Sequence, residues 1–202
     1  SVTLDAVTSY VTNSMRCFYK LDDQLPTDLL QELASSVQRS HAAVLNRAQE
    51  DPARAGMATT LTMAHVLWPR VYTVQIGDSR CYHLRGDSLT QVTRDQTVVQ
   101  LLVEEGTLTA SDAERSPYSS VLSQAIGGGA PDVEPEISRV DLAPGDSLLL
   151  CTDGLTRHLS DEEIARRLRT AASAREAAEG LVAAALDAGG RDNVTVVVTR
   201  FR

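Results

Sequence analysis

The stretch Ser147–Leu155, reading Ser-Leu-Leu-Leu-Cys-Thr-Asp-Gly-Leu, constrains this chain more than any other. Its apolar run has the length of a buried strand and stops abruptly at Asp153-Gly154, so a rigid element delivers a carboxylate at its end. Further on, Gly189-Gly190-Arg191-Asp192-Asn193 opens a second apolar run at Val194. A second turn carboxylate therefore stands beside a second strand. Two strand-end aspartates point to a cation site.

The chain has 202 residues, 43% of them hydrophobic, enough for one ordinary core, so a single domain over residues 1–202 is expected. A net charge of -8 without a Lys/Arg cluster argues against a nucleic-acid surface. No apolar stretch approaches the roughly 20 residues of a membrane-spanning helix, and no signal-like segment opens the sequence. The expectation is a soluble, cytoplasmic protein without a membrane partner. Cys17, Cys81 and Cys151 are odd in number and far apart, which fits small core residues better than disulfides or a thiolate metal site.

Leu4, Val7, Val11 and Met15 fall at helical spacing. A second helix is expected after Pro26-Thr27, with Leu30, Leu33, Val37, His41, Val44 and Leu45 on one stripe. His41 on that stripe reads as a core or boundary residue without chemistry. From Gly56 the period becomes extended, and Thr59–Trp68, Arg70–Ile76, Cys81–Leu84 and Ser88–Thr93 read as successive antiparallel strands. Ile76-Gly77-Asp78-Ser79-Arg80 sets Asp78 in a turn, where the pattern fits either an inward carboxylate or common turn composition. Residues 97–118 form an excursion of short polar helices, such as borders a substrate site or makes a plain surface connection. Gly127-Gly128-Gly129 lacks the Lys-Ser/Thr of a phosphate loop and reads as a turn. Val140–Leu142, a turn containing Asp146, and Ser147–Cys151 read as a hairpin in which Asp146 serves the turn alone. Capping boxes at Ser160 and Ser173 start two further helices, and Asn193–Phe201 is the last strand. This order indicates an α+β fold, most simply two packed sheets with helices outside.

Asp153, Asp192 and, on the first reading of its turn, Asp78 supply the oxygen ligands that Mg²⁺ and Mn²⁺ prefer, and such ions keep waters that can become nucleophiles. Without a cation, carboxylates brought close together repel, and one holds its proton. Asp-Gly and Asp-Asn are also ordinary turn dipeptides.

Taken in order, six segments resemble the PPM family of metal-dependent Ser/Thr protein phosphatases, the type 2C class, in its bacterial form. They are Gly56-Met57-Ala58-Thr59-Thr60-Leu61, Ile76-Gly77-Asp78-Ser79-Arg80, Val92-Thr93-Arg94-Asp95, Leu122-Ser123-Gln124-Ala125-Ile126-Gly127, Leu150-Cys151-Thr152-Asp153-Gly154-Leu155 and Gly190-Arg191-Asp192-Asn193-Val194-Thr195-Val196. The resemblance implies an α-β-β-α sandwich of two antiparallel sheets flanked by helices. It implies Asp153 and Asp192 as ligands of a binuclear Mn²⁺ or Mg²⁺ centre, and Asp78 with Asp153 as ligands of a third, weaker ion. Residues 97–118 then correspond to a flap beside the cleft. The implied activity is hydrolysis of phosphoserine and phosphothreonine esters on proteins by a metal-activated water, and the implied partners are phosphoproteins made by a Ser/Thr kinase.

The family's opening strands carry a phosphate-binding Arg, a Glu-Asp pair and an Asp-Gly turn whose Asp bridges both metals, and these have no counterpart here. The expectation is a domain whose N-terminal strands are missing, and His65, His83 and His158 show no spacing that would replace the lost groups. Gln96 and Ser116-Pro117 depart from the family near the flap, where they are expected to bear on substrate choice. The alternative is a catalytically incomplete domain that regulates or binds a partner.

Overall fold

The computed structural model describes residues 26–202. The expected helix at Leu4–Met15 and the residue Cys17 lie outside them. Helix α1 (Pro26–Glu50) buries Leu33, Val37, His41 and Val44 at helical spacing, as the stripe predicts. It ends where Asp51 caps a single 3₁₀ turn, accepting from the Ala53 amide at 3.0 Å.

Strands β1 (Ala58–Thr59), β2 (Leu61–Leu67) and β3 (Arg70–Ile76) follow. The single strand expected over Thr59–Trp68 is thus interrupted at Thr60. β1 leaves to pair with β6 (Ile126–Gly127), while β2 pairs with β3 in register Leu61 to Ile76. β4 (Arg80–Arg85) and β5 (Ser88–Gln91) form a hairpin, but β3 and β4 are not neighbours. The chain crosses there from one sheet to the other. β7 (Glu136–Asp141) pairs with β3, whereas β8 (Ser147–Cys151) pairs with β4 and with β9 (Val196–Arg200). The hairpin expected between Val140–Leu142 and Ser147–Cys151 is therefore a further crossing between sheets.

Strand alternation explains the layers. Tyr72, Val74 and Ile76 of β3 face α1, whereas Val71 packs with Cys81, Leu142 and Leu148 between the sheets. Tyr82, Leu84, Leu149 and Cys151 turn the other way, against Ile164 and Leu168 of α5 (Asp161–Thr170) and Leu181 and Ala185 of α6 (Ala174–Asp187). The result is the expected α-β-β-α sandwich, with sheet orders β2-β3-β7 and β5-β4-β8-β9. Ser160 and Ser173 cap α5 and α6 as their boxes predict, accepting from the Glu163 and Glu176 amides. Cys81 and Cys151 are free, buried and on opposite faces of one sheet. Burial pushes both thiols up to about 12.

Asp146 does more than close a turn. Its carboxylate, 2% exposed, accepts from the Ala143 amide, from His83 Nε2 at 2.8 Å and from Arg85 Nε and Nη2 at 3.0 and 2.7 Å. The sequence pattern of Pro-Gly-Asp hides this, because both partners lie on β4, far away in the chain.

Candidate metal centre

Asp78 stands where the chain crosses between sheets, and that crossing is pinned from several sides. Gln75 Nε2 donates to the Gly77 and Ser79 carbonyls at 2.8 and 2.6 Å, and Thr62 Oγ1 donates to the Ser79 carbonyl at 2.8 Å. Gln96 Oε1 accepts from the Gly77 amide at 2.8 Å, while the Gln96 amide donates to the Gly77 carbonyl at 2.9 Å. Gln96 is buried, so what it does here is brace the Asp78 turn. Gly77 has φ +99, and a Cβ there would lie 2.3 Å from Thr60 Cγ2, so a side chain is excluded on both counts.

Asp153 opens the one-turn helix α4 (Asp153–Thr156) directly after β8. Asp78 and Asp153 line one cleft of about 680 Å³. Its far wall comes from α2 (Val98–Glu104) and α3 (Ala110–Arg115), the two short helices expected within residues 97–118, through Val99, Val103 and Ala113. That excursion is tied at its base, where the Val98 amide donates to Val121 and the Ser123 amide to Gln96. Burial raises the pKa of Asp78, and the neighbouring Asp153 carboxylate raises it further. Two carboxylates held this way fit a hard cation, which removes both penalties and needs few protein ligands beyond water.

The Asp192 segment is fastened to the Asp153 segment. Thr152 Oγ1 accepts from the Thr195 amide at 3.0 Å and donates to the Asn193 carbonyl at 3.2 Å. His158 Nδ1 donates to the Gly154 carbonyl at 2.8 Å, and its Nε2 accepts from the Arg191 amide at 3.3 Å. Asp192 itself uses Oδ1 to accept from the Asn193 amide at 2.7 Å and lines a neighbouring cavity of about 420 Å³ with Arg157, His158 and Arg191. Asp78 and Asp153 are thus brought together, and Asp192 sits beside them in an adjoining space. Among the described residues, no group of three or more His, Cys, Asp or Glu is arranged to hold a metal ion.

Two contacts add to what the sequence suggests, the first of them carried by the i, i+4 spacing of Asp153 and Arg157. Arg157 Nη2 lies 2.6 Å from Asp153 Oδ2. His41, expected to be inert, accepts from the Gly127 amide on Nδ1 and donates from Nε2 to the Ala130 carbonyl, each at 3.1 Å. It therefore fixes the glycine turn, a structural role that a helical stripe does not encode.

A family model described as protein phosphatase 2C matches residues 2–188. The chain belongs to the protein phosphatase 2C family. The serine/threonine protein phosphatase PstP of Mycobacterium tuberculosis is 42% identical over 177 residues, which is 88% of this chain and 34% of that protein. This chain therefore spans about a third of that relative's length. Protein phosphatase PhpP of Streptococcus pneumoniae is 36% identical over 149 residues, 74% of this chain and 60% of that protein. The crystal structure of M. tuberculosis PstP superposes with a TM-score of 0.85 at 37% identity, covering 100% of this chain and 80% of the other. A structure of the PstP catalytic domain in complex with two manganese ions gives 0.79 at 36% identity, covering 98% and 77%.

Proposed function

We propose that this protein hydrolyses phosphoserine and phosphothreonine esters on proteins in a Mn²⁺- or Mg²⁺-dependent reaction. The observation that carries this reading is the pair Asp78 and Asp153 in one cleft, the second carboxylate raising the pKa of the first. Family membership supports it, as does the pair of manganese ions in the PstP catalytic domain.

In this reading Asp153 and Asp192 hold a binuclear centre, and Asp78 with Asp153 holds a third ion. When bound, the cations supply Lewis-acid neutralisation of phosphoryl oxygens and an acidified water. The chain's own residues do the positioning. The Gln75, Gln96 and Thr62 bonds fix the Asp78 turn, Thr152 and His158 keep the Asp153 and Asp192 segments together, and α2 and α3 form the wall against which a protein substrate lies as a flap. The substrates are proteins phosphorylated by a Ser/Thr kinase, the setting is cytoplasmic signalling, and residues 1–202 act as one domain. No helix among the described residues is long and apolar enough to cross a membrane.

A second reading, a regulatory or partner-binding domain with an incomplete ligand set, is favoured by one observation: no three potential ligands converge among the described residues. Phosphate release from a phosphothreonine peptide, followed against Mn²⁺ concentration, separates the two. Release that needs Mn²⁺ supports the enzyme. Absence of metal-dependent release favours the second reading.

A further inference from the structure

Arg157 follows the one-turn helix that Asp153 opens, four residues on, so its side chain folds back over that carboxylate. Its Nη2 sits 2.6 Å from Asp153 Oδ2, with the Arg157 side chain 45% and the Asp153 side chain 27% exposed. Of the residues lining the Asp78/Asp153 cleft and the Asp192 cavity, Arg157 alone among those described is common to both. One cationic side chain thus stands between the candidate ligands, and its charge also acts on Asp78, opposing the push from Asp153.

A guanidinium and a divalent cation compete for the same oxygen lone pairs. The pair is half-exposed and carried on rotatable side-chain bonds, so it is weak enough to exchange without backbone movement. We infer that Arg157 is an internal counter-ion of Asp153, displaced when a divalent cation binds, and that it thereby sets the cation concentration the cleft requires. This rests on the reading of Asp153 as a cation ligand.

Calorimetric titration with Mn²⁺ tests it on the whole chain. R157Q removes the competitor and is expected to bind Mn²⁺ roughly three- to tenfold more tightly than the parent protein, with the gap shrinking at high salt. R157K keeps the charge and stays within about twofold of the parent. R191Q removes a charge from the Asp192 cavity without touching the Asp153 pair and gives a clearly smaller gain. Melting curves in chelator check folding, and R157M, which retains the stem, repeats the test if R157Q is unstable. Unchanged or weaker binding in R157Q, or an equal gain in R191Q, overturns the inference. D153N separates the levels: if it loses Mn²⁺ binding while R157Q matches the parent, only the counter-ion role fails. If D153N binds as the parent does, or the parent binds no Mn²⁺, the ligand assignment fails together with it.

Discussion

Arg80 grips Asp95 with two nitrogens: Nε lies 2.9 and 3.1 Å from the two carboxylate oxygens, and Nη2 lies 2.7 Å from Oδ2. The same guanidinium donates from Nη1 to Tyr82 Oη at 2.8 Å, and that hydroxyl donates to Asp161 at 2.9 Å. The start of β4 is thereby linked to the segment after β5 and to the first turn of α5, all around the cleft. Removing one member leaves a partly buried charge without its partner. D95A is expected to lower stability by roughly 2–3 kcal/mol in urea unfolding, and D95N by less.

Gly154 meets the Asn193 carbonyl so closely that a Cβ would lie 2.4 Å from its oxygen. G154A must push the Asp192 segment away from the Asp153 segment. Stability falls by about 1–3 kcal/mol, and Mn²⁺ binding weakens although no carboxylate has been removed. Urea unfolding and calorimetry on the same variant check both effects.

Asp146 gives a pH prediction with a definite sign. Its bonds from Arg85, and then from the Ala143 amide and His83, hold its carboxyl far below the ordinary 3.8. The stabilisation is complete above that ordinary value and is lost as pH falls from there through the depressed folded pKa. Melting temperature below about pH 4 therefore drops more steeply in the parent protein than in D146N. At neutral pH, D146A costs about 3 kcal/mol, because His83 and the Ala143 amide lose their partner.

Asp78 has the opposite sign. Burial, then Asp153, raises its pKa, so ionised Asp78 opposes folding, and stability falls as pH climbs through the raised value. In chelator at neutral pH, D78N melts higher than the parent. Added Mn²⁺ stabilises the parent more than D78N, closing the gap. Thermal melts with and without the ion measure both.

Which parts of this were legible in the sequence follows from how local each signal is. Helices α5 and α6 were readable at Ser160 and Ser173 because a capping box is complete within four residues. The strands were readable from alternation, but their partners were not. The Gly77–Ser79 turn and the Ala143–Asp146 turn both look like hairpins and both carry the chain between sheets, since turn composition says nothing about which neighbour the next strand finds. Asp153 and Asp192 stand out by position at strand ends, whereas the turn around Asp78 fits either an inward carboxylate or ordinary turn composition; the cleft brings Asp78 and Asp153 together. Gln96 and His41 act through partners that only the fold supplies, whereas the Asp153–Arg157 pair has a local signal in its i, i+4 spacing, and Asp192 faces a cavity whose existence no spacing announces.

In the proposed function, Asp153 anchors a cation-dependent phosphatase site. Mn²⁺-stimulated phosphate release from a phosphothreonine peptide, compared between the parent protein and D153N at equal folding, tests it most directly. D153N is expected to lose on the order of a hundredfold or more of this release, as removal of a charge-stabilising group does, with no rescue inside the Mn²⁺ range that saturates the parent. Release by D153N at the parental rate and with the parental Mn²⁺ dependence would contradict it.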